Sequence, residues 1–213
     1  MTFTILIACS ANVCRSPLAS AVLAHAVALE QVDRSVSVVT GGLEAIAGQP
    51  ACPEIARMAE ARGLHSRSLV RHEASILTPD EIGAADLVLT ADRRARSGVM
   101  KRMPFATGRT FTIREAAQLG AAALPEVRGH TLDDRLRSYV AAMNDVRGLS
   151  ELPRTRRMVV LTSPWRRLAV HAHDIPDAHQ GERAPHRAVY SLTASSSKQV
   201  ARDLSTCAQV SVG

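Results

Sequence analysis

Aromatic residues and long apolar runs are scarce in this 213-residue chain. Phe, Trp and Tyr together make up 3% of it, so the core is expected to consist mainly of Ala, Val, Leu and Ile. The basic groups therefore lack the interleaved aromatic side chains that a stacking surface for nucleic acid requires. No stretch approaches the roughly 18 uninterrupted apolar residues of a membrane-spanning helix. These absences argue against nucleic-acid and membrane partners.

Cysteine is also rare. Four irregularly spaced cysteines are too few for a disulfide framework in a chain of this length.

The N-terminus lacks the charged region and long apolar run of a secretory signal, so we expect a cytoplasmic protein. The formal net charge of +6 is interpreted as a solvated, arginine-rich surface. Nothing in the sequence indicates an oligomeric state.

Short apolar runs alternate with helical patterns along the chain. This alternation predicts βαβ units and a parallel sheet. Buried strands are predicted over 3–8, 36–39, 85–90 and, less clearly, 109–113. Helices are predicted over 17–29, 53–62, 93–102 and 188–207, with a further helical region over 114–149.

The stretch "ILIACSANVCRSPLA" carries the clearest chemical signal. Cys9 lies where the first strand ends, and a short loop then leads into a helix with Pro17 at its first position. The N–H groups of such a turn point inward and, with the helix N-terminus, form an anion-binding site. The predicted backbone ligands of a phosphoryl group are Ser10, Ala11, Asn12, Val13 and Cys14.

Arg15 and Ser16 follow this loop directly. The planar guanidinium of Arg15 suits the oxygens of a phosphoryl group. Arg15 and the helix N-terminus would also favour the thiolate form of Cys9. A thiolate beside a phosphate site predicts nucleophilic attack on phosphorus, with a cysteinyl-phosphate intermediate and no metal or other cofactor. Ser16 could donate its hydroxyl group to that thiolate.

The stretch "CSANVCRSP" resembles the active-site loop of the low-molecular-weight protein tyrosine phosphatases of the bacterial type, usually C-x-G-N-x-C-R-S-P. "VVTGG", "AADLVLTADRRARSGV" and "RTFTIREAAQLG" resemble that family in the same order. The resemblance implies Cys9 as nucleophile, Arg15 as transition-state clamp, Ser16 as thiolate stabiliser and Asn12 as organiser of the loop. It implies a phosphorylated protein or a small aryl phosphate as substrate.

The same resemblance implies an α/β fold: a three-layer sandwich around a central four-stranded parallel sheet, with the phosphate-binding loop after strand 1. We expect one such domain over residues 1–213. Its middle segment, about 119–170, is longer than in compact members and is expected to be an extended helical segment.

Cleavage of a phosphate ester also needs a general acid, which the family carries in a late Asp-Pro pair. "HDIPDAHQG" resembles that loop, and Asp177 matches the acid, with Asp174 as the fallback. Ala178 replaces the family's proline, and His179 and Gln180 stand where members tend to place aromatic residues. Compensating aromatics could come from Trp165, Tyr139 or Tyr190.

Ala11 replaces the usual glycine in the loop. If that position requires a positive φ, alanine costs about 1 kcal/mol or more. Ala11 and Ala178 motivate an alternative function, a pseudophosphatase that binds phosphate or phosphopeptides without turnover. Cys14 could form a reversible disulfide with Cys9, as the resemblance suggests.

Three other interpretations are less favoured. A thiol-dependent arsenate reductase needs a further cysteine pair, and Cys52 and Cys207 are far apart in sequence. Arginine phosphatases on this fold carry threonine in place of Val13. A metal site is conceivable near the acid loop, although its histidines match no familiar ligand spacing. These histidines are His171, His173, His179 and His186.

Overall fold

The computed structural model describes residues 2–29, 36–149, 157–163, 166–180 and 184–209. Its centre is a parallel sheet with strand order β2-β1-β3-β4. The strands are β1 (Phe3–Cys9), β2 (Val36–Gly42), β3 (Leu87–Thr90) and β4 (Thr110–Thr112). The central strand β1 is almost entirely buried, because helices cover both faces of the sheet. This arrangement confirms the predicted three-layer α/β fold.

Helices follow the strands in the alternating order that the sequence predicts. The helices are α1 (Arg15–Leu29), α2 (Pro53–Glu60), α3 (Arg67–Val70), α4 (Pro79–Ala84), α5 (Arg93–Arg102), α6 (Ile113–Ala123), α7 (Leu132–Leu149) and α8 (His186–Gln209). Helix α8 runs through the three serines at 195–197 without a break. None of the helices in the described residues is long and apolar enough to span a membrane.

The two faces of β1 bury different sets of side chains. Ile5 and Ile7 pack into the larger cluster with residues of α1, α6, α7 and α8. Leu6 and Ala8 point to the opposite face and pack with residues of α4 and α5. This period of two is the pleat of the strand, and it explains why β1 is apolar throughout. Since α8 packs on both α1 and α6, the described C-terminal part belongs to the same core.

The middle segment departs from the helical expectation over 119–170. Helix α7 ends at Leu149, and β5 (Arg157–Ser163) and β6 (Arg166–His171) then form an antiparallel pair. A helical prediction for residues 157–163 and 166–170 is therefore wrong. Both runs are short and rich in Val and Leu, a composition that suits a pleated strand as well as a buried helix.

Candidate active site

The candidate site lies at the carboxyl ends of β1 and β3, the edge at which open α/β sheets bind ligands. The loop after β1 and the loop before α8 meet there around a small pocket. The residues that line it are Cys9, Ala11, Val13, Cys14, Arg15, Asp177, His179 and Gln180. The other predicted site residues, Ser10, Asn12 and Ser16, are buried.

Asn12 organises the loop through both its backbone and its side chain. Its φ of 56° lies in the left-handed region, and it is the one such non-glycine among the described residues. Asparagine tolerates this conformation better than most residues. The condition for strain at Ala11, a positive φ at that position, is therefore not met, because the left-handed residue is the next one, Asn12.

The hydrogen bonds of Asn12 also fix the proton arrangement around Cys9. The Ser75 N–H donates to Asn12 Oδ1 at 3.0 Å, so the amide nitrogen faces the other way and donates to Ser16 Oγ at 2.9 Å. The Ser16 hydroxyl proton is then free to point at Cys9 Sγ, 3.1 Å from Ser16 Oγ. The backbone N–H of Asn12 donates to the same sulfur at 3.2 Å. Two donors therefore face Cys9, and both stabilise a negative sulfur.

Neighbouring segments hold the loop from outside. His72 Nε2 donates to the Asn12 carbonyl at 2.5 Å, and the Glu44 N–H donates to the Ser10 carbonyl at 2.8 Å. Gly42 at the end of β2 allows the loop to approach closely. A Cβ on Gly42 would lie 2.7 Å from the Ser10 carbonyl oxygen, which is well inside contact distance.

Arg15 is the central cation of the site and is only 3% exposed. One of its terminal nitrogens donates to Asp92 Oδ2 at 2.6 Å and to the Ile175 carbonyl at 3.2 Å, and the other donates to Asp177 Oδ2. Burial alone would lower the pKa of Arg15. The charges of Cys9, Asp177 and Asp92 outweigh burial and raise that pKa, so the guanidinium stays charged.

Asp177 therefore reaches the pocket, whereas Asp174 does not. The Ile175 N–H donates to the Ala91 carbonyl at 2.9 Å, which ties the acid loop to the end of β3. Asp177 Oδ1 accepts the N–H of His179 at 2.7 Å, leaving Oδ2 for Arg15. Asp174 instead accepts bonds from the backbone and side chain of Arg93 at the start of α5.

Among the described residues, the two tyrosines considered as compensation do not line this pocket. Tyr139 is fully buried and bonded to Asp203, and Tyr190 lies under the guanidinium of Arg62. Trp165 lies outside the described residues. Instead, His179 and Gln180 line the pocket on the side of the Asp177 loop.

The four histidines form two separate ring pairs. His171 packs edge-on against His173, and His179 packs in the same way against His186. They do not come together as one cluster with the two aspartates.

Cys14 has a neighbour that the sequence did not indicate. Its sulfur lies within 4.8 Å of the sulfur of Cys52, the residue that precedes α2. The interaction of the two thiols is the main cause that raises the pKa of Cys14 and lowers that of Cys52 to about 4. The N–H groups of Glu54 and Ile55 in the first turn of α2, and His179, also lower the Cys52 pKa against the effect of burial. All four cysteines are free thiols.

Sequence reasoning missed Asp92, which lies against Arg15 and caps the N-terminus of α5 through the Ala95 N–H at 2.7 Å. A usable signal was present, because Asp92 closely follows a buried strand at the edge where ligands bind. His72 and Ser75, which hold Asn12 in place, carry no local sequence signal of that kind.

Comparison with known proteins gives consistent results. The profile of the family described as low molecular weight phosphotyrosine protein phosphatase matches residues 4–123. A relative from Ralstonia nicotianae named "Probable low molecular weight protein-tyrosine-phosphatase EpsP" is 34% identical over 122 residues, covering 57% of this chain and 78% of the relative. A protein-arginine-phosphatase of Geobacillus stearothermophilus is 29% identical over 115 residues, covering 54% and 72%.

Among solved structures, the tyrosine phosphatase Wzb from Escherichia coli K30 in complex with sulphate superposes with a TM-score of 0.59 at 22% identity. The alignment covers 96% of this chain and 99% of that one, and it supports the fold. The family profile spans more than half of this chain and includes the whole loop from Cys9 to Arg15. The chain therefore belongs to the low molecular weight phosphotyrosine protein phosphatase family.

Proposed function

We propose that the chain is a metal-independent protein tyrosine phosphatase that works through a cysteinyl-phosphate intermediate. The observation that carries the proposal is the convergence of Cys9, Arg15 and Asp177 on one pocket at the sheet edge. The names of the curated relatives support a phosphorylated protein as substrate.

In the first step, Cys9 Sγ attacks phosphorus and the P–O bond to the leaving group breaks. Loop N–H groups and Arg15 bind the equatorial oxygens, whose charge is spread in the transition state. Asp177 donates its proton to the leaving oxygen. The phosphoryl group replaces Asp177 as a partner of Arg15, which leaves Asp177 Oδ2 available to the leaving oxygen.

In the second step, water attacks the phosphorus of the cysteinyl-phosphate and the S–P bond breaks. Asp177, now a carboxylate, accepts a proton from that water. The departing Cys9 thiolate is stabilised by Ser16 Oγ and the Asn12 N–H, which lie 3.1 Å and 3.2 Å from the sulfur. One pair of donors thus serves both nucleophile and leaving group.

The alternatives are not favoured. The pseudophosphatase interpretation depended partly on a strained Ala11, and the positive φ belongs to Asn12 instead. Val13 lines the pocket. Arginine phosphatases on this fold carry threonine at this position, so valine disfavours that alternative. A phosphoarginine substrate tests it directly.

The test is hydrolysis of p-nitrophenyl phosphate in EDTA by the wild type and by Cys9→Ser. We expect Cys9→Ser to lose at least about a thousandfold in kcat, because serine is a far weaker nucleophile than a thiolate. Cys207→Ser, at a buried cysteine in α8, is the matched control and should retain activity. Equal rates for the wild type and Cys9→Ser would contradict the proposal.

Peptides carrying phosphotyrosine, phosphoserine or phosphoarginine then define the substrate class. We expect the highest kcat/KM for phosphotyrosine. A preference for phosphoarginine would keep the mechanism but contradict the proposed substrate.

A further inference from the structure

Three soft metal-binding side chains meet beside the candidate active site. The donor atoms of Cys14, Cys52 and His179 all lie within 4.8 Å of one another. Both cysteines are buried and His179 is exposed, so the cluster has one side open to solvent. The proposed phosphatase chemistry uses neither Cys52 nor the imidazole of His179.

Separate parts of the chain hold each member in place. The Cys52 N–H donates to the Val13 carbonyl at 2.6 Å, which fixes the start of α2 against the phosphate-binding loop. His179 donates its backbone N–H to Asp177 at 2.7 Å. The ring of His186 lies edge-on to that of His179, with centroids 5.0 Å apart. The buried Nε2 of His186 has no hydrogen-bond partner among the described residues.

The spacing suits a metal ion, and the two cysteines are free thiols. Zn–S bonds of about 2.3 Å and Zn–N bonds of about 2.0–2.1 Å place tetrahedral donors roughly 3.5–3.8 Å apart. Donors within 4.8 Å reach that spacing by movements of about 1 Å. A disulfide between the two cysteines would need the sulfurs at about 2.05 Å. Two thiolates also neutralise a divalent cation, and thiol protons leave when the ion binds.

We propose that Cys14, Cys52 and His179 form a binding site for a thiophilic divalent cation, represented by Zn²⁺, and that the bound ion inhibits the active site. Cys14 belongs to the phosphate-binding loop and His179 to the acid loop, so the ion would fasten together two segments between which substrate must enter. The inhibitory part rests on the proposed phosphatase function, whereas the binding part does not.

Binding is tested first without the nucleophile. The reduced full chain carrying Cys9→Ser is freed of metal and titrated with Cd²⁺, following thiolate-to-metal charge-transfer absorption and calorimetric stoichiometry. We expect one equivalent to bind. Adding Cys52→Ser or His179→Gln should weaken binding at least about tenfold, because each removes one ligand. Cys207→Ser is the matched thiol control and should leave binding unchanged.

Unchanged affinity in both ligand variants, or no binding by the parent, would overturn the proposal. His179→Gln keeps the test decisive if Cys52→Ser fails to fold, because His179 is exposed.

Inhibition is tested with Cys9 intact. Zn²⁺ should inhibit p-nitrophenyl phosphate hydrolysis by the wild type, and Cys52→Ser should raise the half-inhibitory Zn²⁺ concentration at least about tenfold. Equal inhibition of the two would overturn the inhibitory part. Loss of catalysis in the metal-free wild type would instead count against the proposed function, and the Cd²⁺ titration would still decide binding.

Discussion

Two regions of the molecule bury an ionisable side chain, and they stabilise opposite charge states of it. Arg15 in the candidate site is 3% exposed and lies against Asp92, Asp177 and Cys9. Asp203 in α8 is also 3% exposed, but it accepts hydrogen bonds from Gln199 at 2.9 Å and Tyr139 at 3.3 Å. No ion pair to Asp203 is found among the described residues.

The difference appears in the direction of each pKa shift. Neighbouring negative charges raise the pKa of Arg15 and keep it ionised, whereas burial raises the pKa of Asp203 and favours its neutral form. The Asp203 region is also tightly packed. A Cβ on Gly120 would clash with the Asp203 carboxyl and lie 2.6 Å from the Tyr139 hydroxyl oxygen. At Arg15, a substrate phosphoryl group can take the place of the Asp177 carboxylate while Asp92 stays. The Asp203 region, in contrast, serves packing.

The largest effect is expected from Arg15→Lys. Lysine keeps the charge but loses the planar fork that can bind two phosphoryl oxygens while still facing Asp92. We expect kcat/KM for p-nitrophenyl phosphate to fall about a thousandfold. Arg94→Lys is the matched control, because Arg94 is exposed and pairs with Glu44 at 3.0 Å. A loss below tenfold at Arg15, or an equal loss at Arg94, would contradict the assigned role.

Asp177→Asn should have the next largest effect. Loss of the general acid should lower kcat for phosphotyrosine about a hundredfold or more, and less for p-nitrophenyl phosphate, whose leaving group needs less protonation. Asp174→Asn is the matched control, since Asp174 binds Arg93 instead of Arg15. If the loss at Asp177 does not depend on the leaving group, Asp177 does not act as the acid.

The sequence was sufficient where the signal is local. The buried strand, the loop from Cys9 to Arg15 and the following helix are contiguous. The sheet edge that holds the site and the nucleophile could therefore both be predicted. Asp177 lies 162 positions from Arg15 and was predicted by resemblance to the family, because the residues themselves show just two turn-forming aspartates near a proline.

The remaining features depend on contacts between distant segments. Whether Ala11 or Asn12 adopts the positive φ is decided by the bonds of Asn12 to Ser75 and His72, which are more than fifty residues away. The contact between Cys14 and Cys52 depends in the same way on how α2 meets the loop. The strands β5 and β6 were missed because short apolar runs fit either secondary structure.

The smallest expected effect, Asp203→Asn, tests the other half of the comparison. Because the pKa of Asp203 is raised in the folded state, its proton is held more tightly there than in the unfolded chain. The stabilising contribution of that proton is present at low pH and is lost as pH rises from the unfolded value of about 3.9 through the higher folded value. Asparagine does not titrate, so the free energy of unfolding of Asp203→Asn relative to wild type should increase between pH 4 and pH 7.

Urea unfolding at the two pH values measures this difference, and kcat should change less than about twofold, since Asp203 lies outside the site. Asp145→Asn, at an exposed position in α7, is the matched control substitution. A relative stability of Asp203→Asn that falls with rising pH would mean that the folded protein stabilises the charged carboxylate there, and the contrast with Arg15 would fail.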